Sequence, residues 1–373
     1  MSVAVRIASG LGLDRDGDGL AFSAFHAEMR RRLWWQIVLL DSVIGEDRLS
    51  KPIIPHGSFD TRLPVNLNDD EFDQSSTHPL PERASVTDMT LSLVYMHAAH
   101  AIRQITIGPS RTLGGTILTP NDRAEVIEQF THTVEQTYMV SANLSTDPRM
   151  WLLHMISQSL TSKLWLLLQH PLYGHPPDFR TFSRTQSLRT AIALLTATEK
   201  VEQKPSSTGL LWWLRIFTPW YALAVALSSL CGESSSIVFD QAWPVLEKAL
   251  LQCSRRIADS RRGTILRSVQ ALMMKAALKR SEVNRGDDGR QMHALNTVHS
   301  PPQVQFGTSV APSQLSATNM TDISSMFDIP FPMDMEGLET VDENTSPMDR
   351  NEWSEFLINL SMGQEDSLSS LWT

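Results

Sequence analysis

Residues 28–44 read EMRRRLWWQIVLLDSVI and combine three consecutive arginines, two tryptophans and a long apolar run. Within this stretch, large apolar side chains recur at steps of four, four, three and four residues, at Met29, Leu33, Ile37, Leu40 and Ile44. That spacing places them on one face of a helix with 3.6 residues per turn. We therefore expect a helix here, with Leu33 and Trp34 in structural positions.

Helical patterns continue through most of the body. Pro, Gly or small polar residues bound them, and they cover roughly residues 84–107, 120–142, 149–170, 183–203, 209–231, 238–257 and 260–280. Thr119–Pro120 predicts a helix start. Proline has no backbone N–H, and an N–H in the first turn of a helix would have no partner within that helix. Convincing alternating strands are absent, so the predicted fold class is all-α, a multi-helix bundle or array.

The apolar segment 210–231 is long enough to span a bilayer, but Arg215 and Pro219 interrupt it. A buried core helix, kinked or broken near Pro219, is therefore the better prediction. Residues 51–83 contain repeated Pro, Gly and Asn, which predicts an extended excursion rather than a helix.

The charge is distributed unevenly along the 373 residues. Residues 282–373 hold fifteen acidic and three basic side chains, whereas the remainder holds 29 basic and 26 acidic side chains. We expect a helical body over 1–280, a polar, disordered linker over 281–320 and an acidic–hydrophobic tail over 321–373. In the tail, four apolar residues form one helical stripe and predict contact with an apolar groove on a coactivator: Trp353, Phe356, Leu357 and Leu360.

Cysteine occurs only at Cys231 and Cys253, which excludes both a disulfide scaffold and a zinc site built only from cysteines within this chain. The N-terminus lacks a cleavage pattern, so we expect no signal peptide. His97 and His100 share a helix face, but no third metal ligand of matching spacing follows. No phosphate loop, dinucleotide fingerprint or nucleophile elbow is present, so we expect no catalytic residues and no enzyme activity.

Two acidic motifs invite a metal-binding interpretation. Residues 14–19 read DRDGDG, like the first half of a calcium loop, but the twelfth position is Phe25 rather than the required glutamate. Asp69, Asp70 and Asp73 copy the aspartate motif of all-α, magnesium-dependent isoprenoid synthases. That enzyme class stays open as an alternative, and it requires these aspartates on a helix that faces a cavity.

The stretch from Glu28 to Trp35 resembles the Glu-x-Arg-Arg-Arg-x-Trp-Trp signature of the middle homology region in fungal zinc-cluster transcription factors. Residues 8–16, ASGLGLDRD, resemble that family's Leu-Gly-Leu segment, and residues 51–54 and 60–70 resemble its downstream Pro, Leu-Pro and acidic positions. The signature residues, for which we expect a structural role, are Arg30, Arg31, Arg32, Leu33, Trp34, Trp35, Asp41, Pro52, Leu63 and Pro64. Departures are Ser50–Lys51 in place of Gly-Arg and Asp14 in place of His.

The resemblance implies a nuclear regulator of transcription, with a role in secondary metabolism as is frequent among such factors. The family's six-cysteine zinc cluster is missing, and the chain begins inside the Leu-Gly-Leu helix, as in an N-terminally incomplete gene product. Zinc therefore belongs to the full-length family, and DNA is an expected partner only if a zinc cluster lies upstream. Other expected partners are a coactivator and a related factor for dimerisation. The second alternative is a non-DNA-binding partner of a full-length factor.

Overall fold

The computed structural model describes residues 1–47, 51–55, 57–77, 79–107, 119–139, 147–169, 184–204, 211–215, 217–232, 235–256 and 264–296. These residues form helices and connecting segments without a β-strand, which confirms the all-α prediction. The helices are α1 (Ser2–Gly10), α2 (Ala24–Asp47), α3 (Thr90–Ile107), α4 (Pro120–Tyr138), α5 (Pro148–Gln169), α6 (Arg184–Gln203), α7 (Leu211–Leu214), α8 (Trp220–Cys231), α9 (Ser236–Arg256) and α10 (Thr264–Asn296).

The core lies between successive layers of helices. Helix α3 packs against α2, α4 and α5, and α5 packs in turn against α6. Helix α8 is buried along its whole length between α6, α9 and α10. Its apolar sequence therefore belongs to a core helix, and Pro219 directly precedes its first residue, as the sequence predicted. Within the described ranges, no helix combines the length and apolar character needed to cross a bilayer.

Local capping explains several helix boundaries. Before α4, the Thr119 hydroxyl accepts a hydrogen bond from the Asp122 N–H (3.2 Å), and the Asp122 carboxylate accepts one from the Thr119 N–H (2.7 Å). This reciprocal pair satisfies two N–H groups that have no partner inside the helix. Helix α3 begins at Thr90 rather than near residue 84, because the buried Asn66 amide binds the Arg83 and Ser85 carbonyls and holds that segment extended.

Helix α10 extends beyond the expected start of the linker. It runs to Asn296, whereas the sequence pattern placed a helix over 260–280 and a linker from 281. The sequence after 280 is mainly polar, but its Val283 is half-buried and packs against the core, so the helix continues past the predicted boundary. The remainder of the linker and the whole tail, including Trp353, Phe356, Leu357 and Leu360, lie outside the described residues.

Candidate functional site

The segment 51–73, here called the strap, runs antiparallel to α2 and follows it from its C-terminal to its N-terminal end. Asp41 binds residues 53 and 54, Trp35 binds residues 61 and 62, and Glu28 binds residue 65. Apart from a short 3-10 turn at Asp69–Glu71, the described strap residues are not helical. This confirms the predicted extended excursion, which follows α2 along most of its length.

Arg30 holds the C-terminal end of α1. Its guanidinium donates to the carbonyls of Leu11 (3.3 Å) and Gly12 (2.5 Å), and it lies 4.5 Å from the centroid of the Phe22 ring. Gly12 has φ 65°, and the Leu13 N–H returns to the Ala8 carbonyl, which is the hydrogen bond that ends a helix in a left-handed residue. The glycine of the Leu-Gly-Leu segment is therefore required by the turn between α1 and α2.

Arg31 binds the aspartates of the same turn. Its Nε and NH2 groups donate to the two Asp16 carboxylate oxygens at 3.0 and 2.7 Å, and NH2 lies 2.6 Å from Asp18. Burial alone would raise the pKa of Asp16, but hydrogen bonds from Arg31 and Arg62 outweigh it and hold this pKa well below its usual range. Arginine side chains thus engage Asp16 and Asp18 of the calcium-loop-like motif, and no cluster of metal ligands occurs among the described residues.

Arg32 and Glu28 connect α2 to the second half of the strap. Arg32 Nε donates to Glu28 at 3.0 Å, Arg32 NH1 lies 2.5 Å from Asp69, and the guanidinium lies over the Phe72 ring. Glu28 is fully buried and also accepts the Val65 N–H at 3.2 Å. Burial raises the pKa of the Glu28 carboxyl, although the hydrogen bonds from Arg32 and Val65 oppose that shift. Of the three consecutive arginines, Arg30 and Arg31 therefore bind the α1–α2 turn and Arg32 binds the strap.

The two tryptophans pack on the middle of the strap. Trp34 is 1% exposed, and the rings of Trp34 and Trp35 meet the Phe59 ring edge-on at centroid distances of 5.4 and 5.5 Å. The Trp35 indole N–H donates to the Arg62 carbonyl at 2.9 Å. Leu33, in contrast, is 52% exposed, so the expectation that it is structural in the same way is wrong. It points away from the core because the buried face of α2 is the one that carries Trp34 and Val38.

Most of the apolar residues whose spacing predicted α2 also point away from the core. Four of its members are exposed, and only Ile37 is half-buried and packs against the core. The exposed members are Met29, Leu33, Leu40 and Ile44. The helix itself is correctly predicted, but the face that it buries is the opposite one.

Asp41 forms the centre of a buried ion pair at the start of the strap. Its carboxylate accepts the N–H groups of Ile53 (3.0 Å) and Ile54 (2.9 Å) and a hydrogen bond from Arg103 of α3 (2.9 Å). Asp41 and Arg103 are 2% and 1% exposed, and Arg103 also donates to the Ile54 carbonyl. The partner of Asp41 is thus an arginine of α3 rather than one of the three arginines of its own helix.

The remaining signature residues line the same interface. Pro52 is half-buried at the start of the strap, Leu63 packs against the core from a half-buried position, and Pro64 is buried. Together with the arginines, tryptophans and Asp41, they fix the strap and the α1–α2 turn on helix α2. We call this set of contacts the clamp. The charges of Arg31, Arg32 and Asp41 are paired within it, and it contains no group poised as a nucleophile or base.

The aspartates of the isoprenoid synthase motif do not face a cavity. Asp69 and Asp70 are exposed in the 3-10 turn, and Asp69 binds Arg32. Asp73 is exposed and accepts hydrogen bonds from Ser75 within its own turn. The geometry that magnesium–diphosphate chemistry requires is therefore absent from the described strap.

His97, the first of the paired histidines, lies 3.3 Å from the Tyr138 hydroxyl, and burial lowers its pKa to about 4.

Comparison with known proteins agrees with this geometry. The sequence matches the fungal specific transcription factor domain over residues 1–101, which cover α1, α2, the strap and most of α3. Residues 1–101 are therefore similar to a fungal specific transcription factor domain. The resemblance of the clamp sequence to the middle homology region of fungal zinc-cluster factors is thereby confirmed.

Similarity to relatives of this transcription factor domain extends further along the chain. The C6 finger domain transcription factor adaR of Aspergillus niger is 29% identical over 298 residues, covering 74% of this chain and 38% of the relative. The C6 finger domain transcription factor nscR of Aspergillus fumigatus is 27% identical and covers 89% of this chain and 42% of the relative. The nscR of Trichophyton verrucosum is 30% identical over 70% of this chain and 39% of the relative. The chain thus spans about two-fifths of these relatives' length, and no solved structure matches it.

Sequence reasoning missed two charged residues of the clamp. Arg103 lies 62 residues from Asp41, and Arg62 meets Asp16 across 46 residues. Neither pair has a local spacing signal, because only the folding of the strap along α2 brings its members together. The one available sign was that Arg103 is the only Lys, Arg, Asp or Glu of α3, since a buried charge requires a partner.

Proposed function

We propose that this chain is the regulatory part of a nuclear transcription factor of the zinc-cluster class. In this proposal the helical body regulates the factor and the acidic tail recruits a coactivator. The match of residues 1–101 to the fungal specific transcription factor domain carries the proposal. The names of the relatives, which are transcription factors and not enzymes, support it, and nothing supports the isoprenoid synthase alternative.

The geometry of the clamp supports a structural role for the three arginines rather than contact with DNA. Arg31 and Arg32 pair with carboxylates, and Arg30 donates to backbone carbonyls at the end of α1. Affinity for nucleic acid rests on Lys and Arg side chains that are free to neutralise phosphates. DNA contact is therefore assigned to a zinc cluster, for which this chain lacks the six cysteines.

The proposed coactivator contact rests on the sequence of the tail. Trp353, Phe356, Leu357 and Leu360 follow the i, i+3, i+4, i+7 spacing of a helix that binds in an apolar groove. Acidic side chains precede and interrupt this stripe, and negative charge near the first turn favours a helix. We therefore propose that this stripe orders on a coactivator surface.

The test is a reporter assay with the full chain, residues 1–373, fused to a heterologous DNA-binding domain. We expect activation that falls at least severalfold in the double variant Trp353→Ala, Phe356→Ala. The matched control is Trp372→Ala, Phe331→Ala, which removes the same residue types from the tail outside this stripe. The control should retain most of the activity.

Three results would contradict the proposal. A silent fusion, in a host where other acidic activators work, would remove the activating tail. Equal loss in both double variants would show that no defined stripe is used. Exclusion of a fluorescently tagged chain from the nucleus would contradict the regulatory role.

A part in secondary metabolism, also proposed here, predicts a changed metabolite profile in a deletion strain.

A further inference from the structure

A cavity lies in the helical body, away from the clamp. Helices α3, α5, α6 and α8 and the α7–α8 connection surround about 760 Å³ of space that protein atoms do not fill, part of it open to solvent. The described residues thus form a concave site apart from the clamp.

The walls of this cavity are mainly apolar and aromatic. The rings of Tyr95 and Phe217 stack at a centroid distance of 4.2 Å, and Trp213 meets both of them edge-on. Leu160 and Leu194 contribute aliphatic surface on the helices α5 and α6. Such walls suit a planar, apolar ligand body, because aromatic rings pack favourably edge-on or offset against one another.

A few polar groups face the same space. Ser159, Thr198 and Thr218 line it, and Tyr95 lines it with a hydroxyl that has no hydrogen-bond partner among the described residues. Burial raises the pKa of Tyr95, so its hydroxyl stays protonated and can donate. A small number of polar groups on an otherwise apolar wall is the usual means of orienting a bound small molecule.

One basic side chain at the cavity can receive an anionic group of a ligand. Lys163 of α5 is already paired with Glu46 of α2 at 2.6 Å, and Glu202 has an interaction partner of its own. Arg215 lies at the mouth, directly after α7, and is exposed. No carboxylate of the described residues pairs with it, so Arg215 is the cation available to a ligand.

We propose that this cavity binds a small aromatic molecule that carries one acidic group, with its rings beside Tyr95 and Phe217 and its acid at Arg215. The inference goes beyond the proposed function, and its test does not depend on transcription. A second cavity of about 520 Å³ shares Tyr95, Glu46 and Lys163 and reaches Pro52 of the strap. A bound ligand therefore lies next to the ion pair that joins α2 to α5, and it should stabilise that junction.

The test uses calorimetric titration of the full chain with 2-naphthoate and with the neutral 2-naphthalenemethanol. We expect saturable binding of both, tighter for the naphthoate. Arg215→Gln should weaken naphthoate binding by about two- to fivefold, the size expected for an exposed ion pair, and leave the alcohol unchanged. Arg189→Gln, an exposed arginine of α6 that does not line the cavity, is the matched control and should change neither.

A second variant tests the location of the rings. Thr198 is half-buried on the α6 wall, so Thr198→Trp should fill the cavity and abolish binding of both probes. Its melting temperature, measured alongside, separates filling from unfolding, and Arg215→Gln tests the site even if Thr198→Trp fails to fold. Absence of saturable naphthoate binding overturns the proposal. So does equal weakening by Arg189→Gln, weakening of the alcohol by Arg215→Gln, or full binding to a folded Thr198→Trp chain.

Discussion

The buried pair of Asp41 and Arg103 should be the most costly point of the clamp to break. Asp41→Leu leaves the Arg103 guanidinium, 1% exposed, without its carboxylate, and also removes the acceptor of the Ile53 and Ile54 N–H groups. Breaking a buried ion pair by removing one partner typically costs about 3–5 kcal/mol. We expect a loss of that size in the free energy of unfolding, and a similar loss for Arg103→Met.

The double variant Asp41→Leu, Arg103→Met separates pairing from simple loss of contacts. It buries no uncompensated charge, so its main cost is the two N–H groups without acceptors, about 1–3 kcal/mol each. We therefore expect the double variant to be less destabilised than the sum of the single variants by at least about 2 kcal/mol. Urea unfolding followed by tryptophan fluorescence gives these free energies, provided that the slope with urea is unchanged.

The exposed pair of Arg15 and Asp60 supplies the control. Their nitrogen and oxygen lie 3.3 Å apart, but the side chains are 66% and 61% exposed. Solvent weakens such pairs to about 0–1 kcal/mol, so Arg15→Gln should change little. Losses below about 1 kcal/mol for both buried variants, or full additivity in the double variant, would refute the argument that this pair fixes the strap to α2 and α3.

The remaining predictions concern stability and DNA. Trp34→Ala should cost about 3–5 kcal/mol in urea unfolding, whereas Leu33→Ala, on the exposed face, should cost under about 1 kcal/mol; equal losses would contradict the orientation of α2. Folding lowers the pKa of Asp16 from 3.8, so its ionised form stabilises the native chain above that value and the contribution is lost as the pH falls through the native pKa. Asp16→Asn should therefore lower the free energy of unfolding equally at pH 7 and pH 5, and this loss relative to the unchanged chain should shrink below pH 4. A loss that stays constant down to pH 3 would argue against the Arg31 pairing. The chain alone should give no salt-resistant, sequence-dependent shift of DNA in electrophoresis, since its cysteines cannot form the zinc cluster.

Much of the helical body could be predicted from local sequence. The ends of α5 and α6 and the start of α4 fall within a residue of their predicted positions, because capping residues and proline act on their immediate neighbours. The break before α8 was visible for the same reason, since Pro219 cannot continue a helix. The path of the strap was not predictable, because its contacts join residues 12 to 49 positions apart.

The orientation of α2 shows where periodicity misleads. Apolar residues occur all around this helix, so a stripe through Leu33 and Leu40 fits the 3.6-residue period as well as the stripe that is buried. The buried face carries Arg31 and Asp41 beside Trp34. A prediction made by counting apolar positions assigns charged residues to the exposed face. They are buried because each meets an opposite charge from another segment, which removes most of the penalty of taking a charge out of water. Charged residues at helical spacing beside a tryptophan pair are therefore evidence for a buried, ion-paired face, and the aliphatic stripe opposite them should be predicted as exposed.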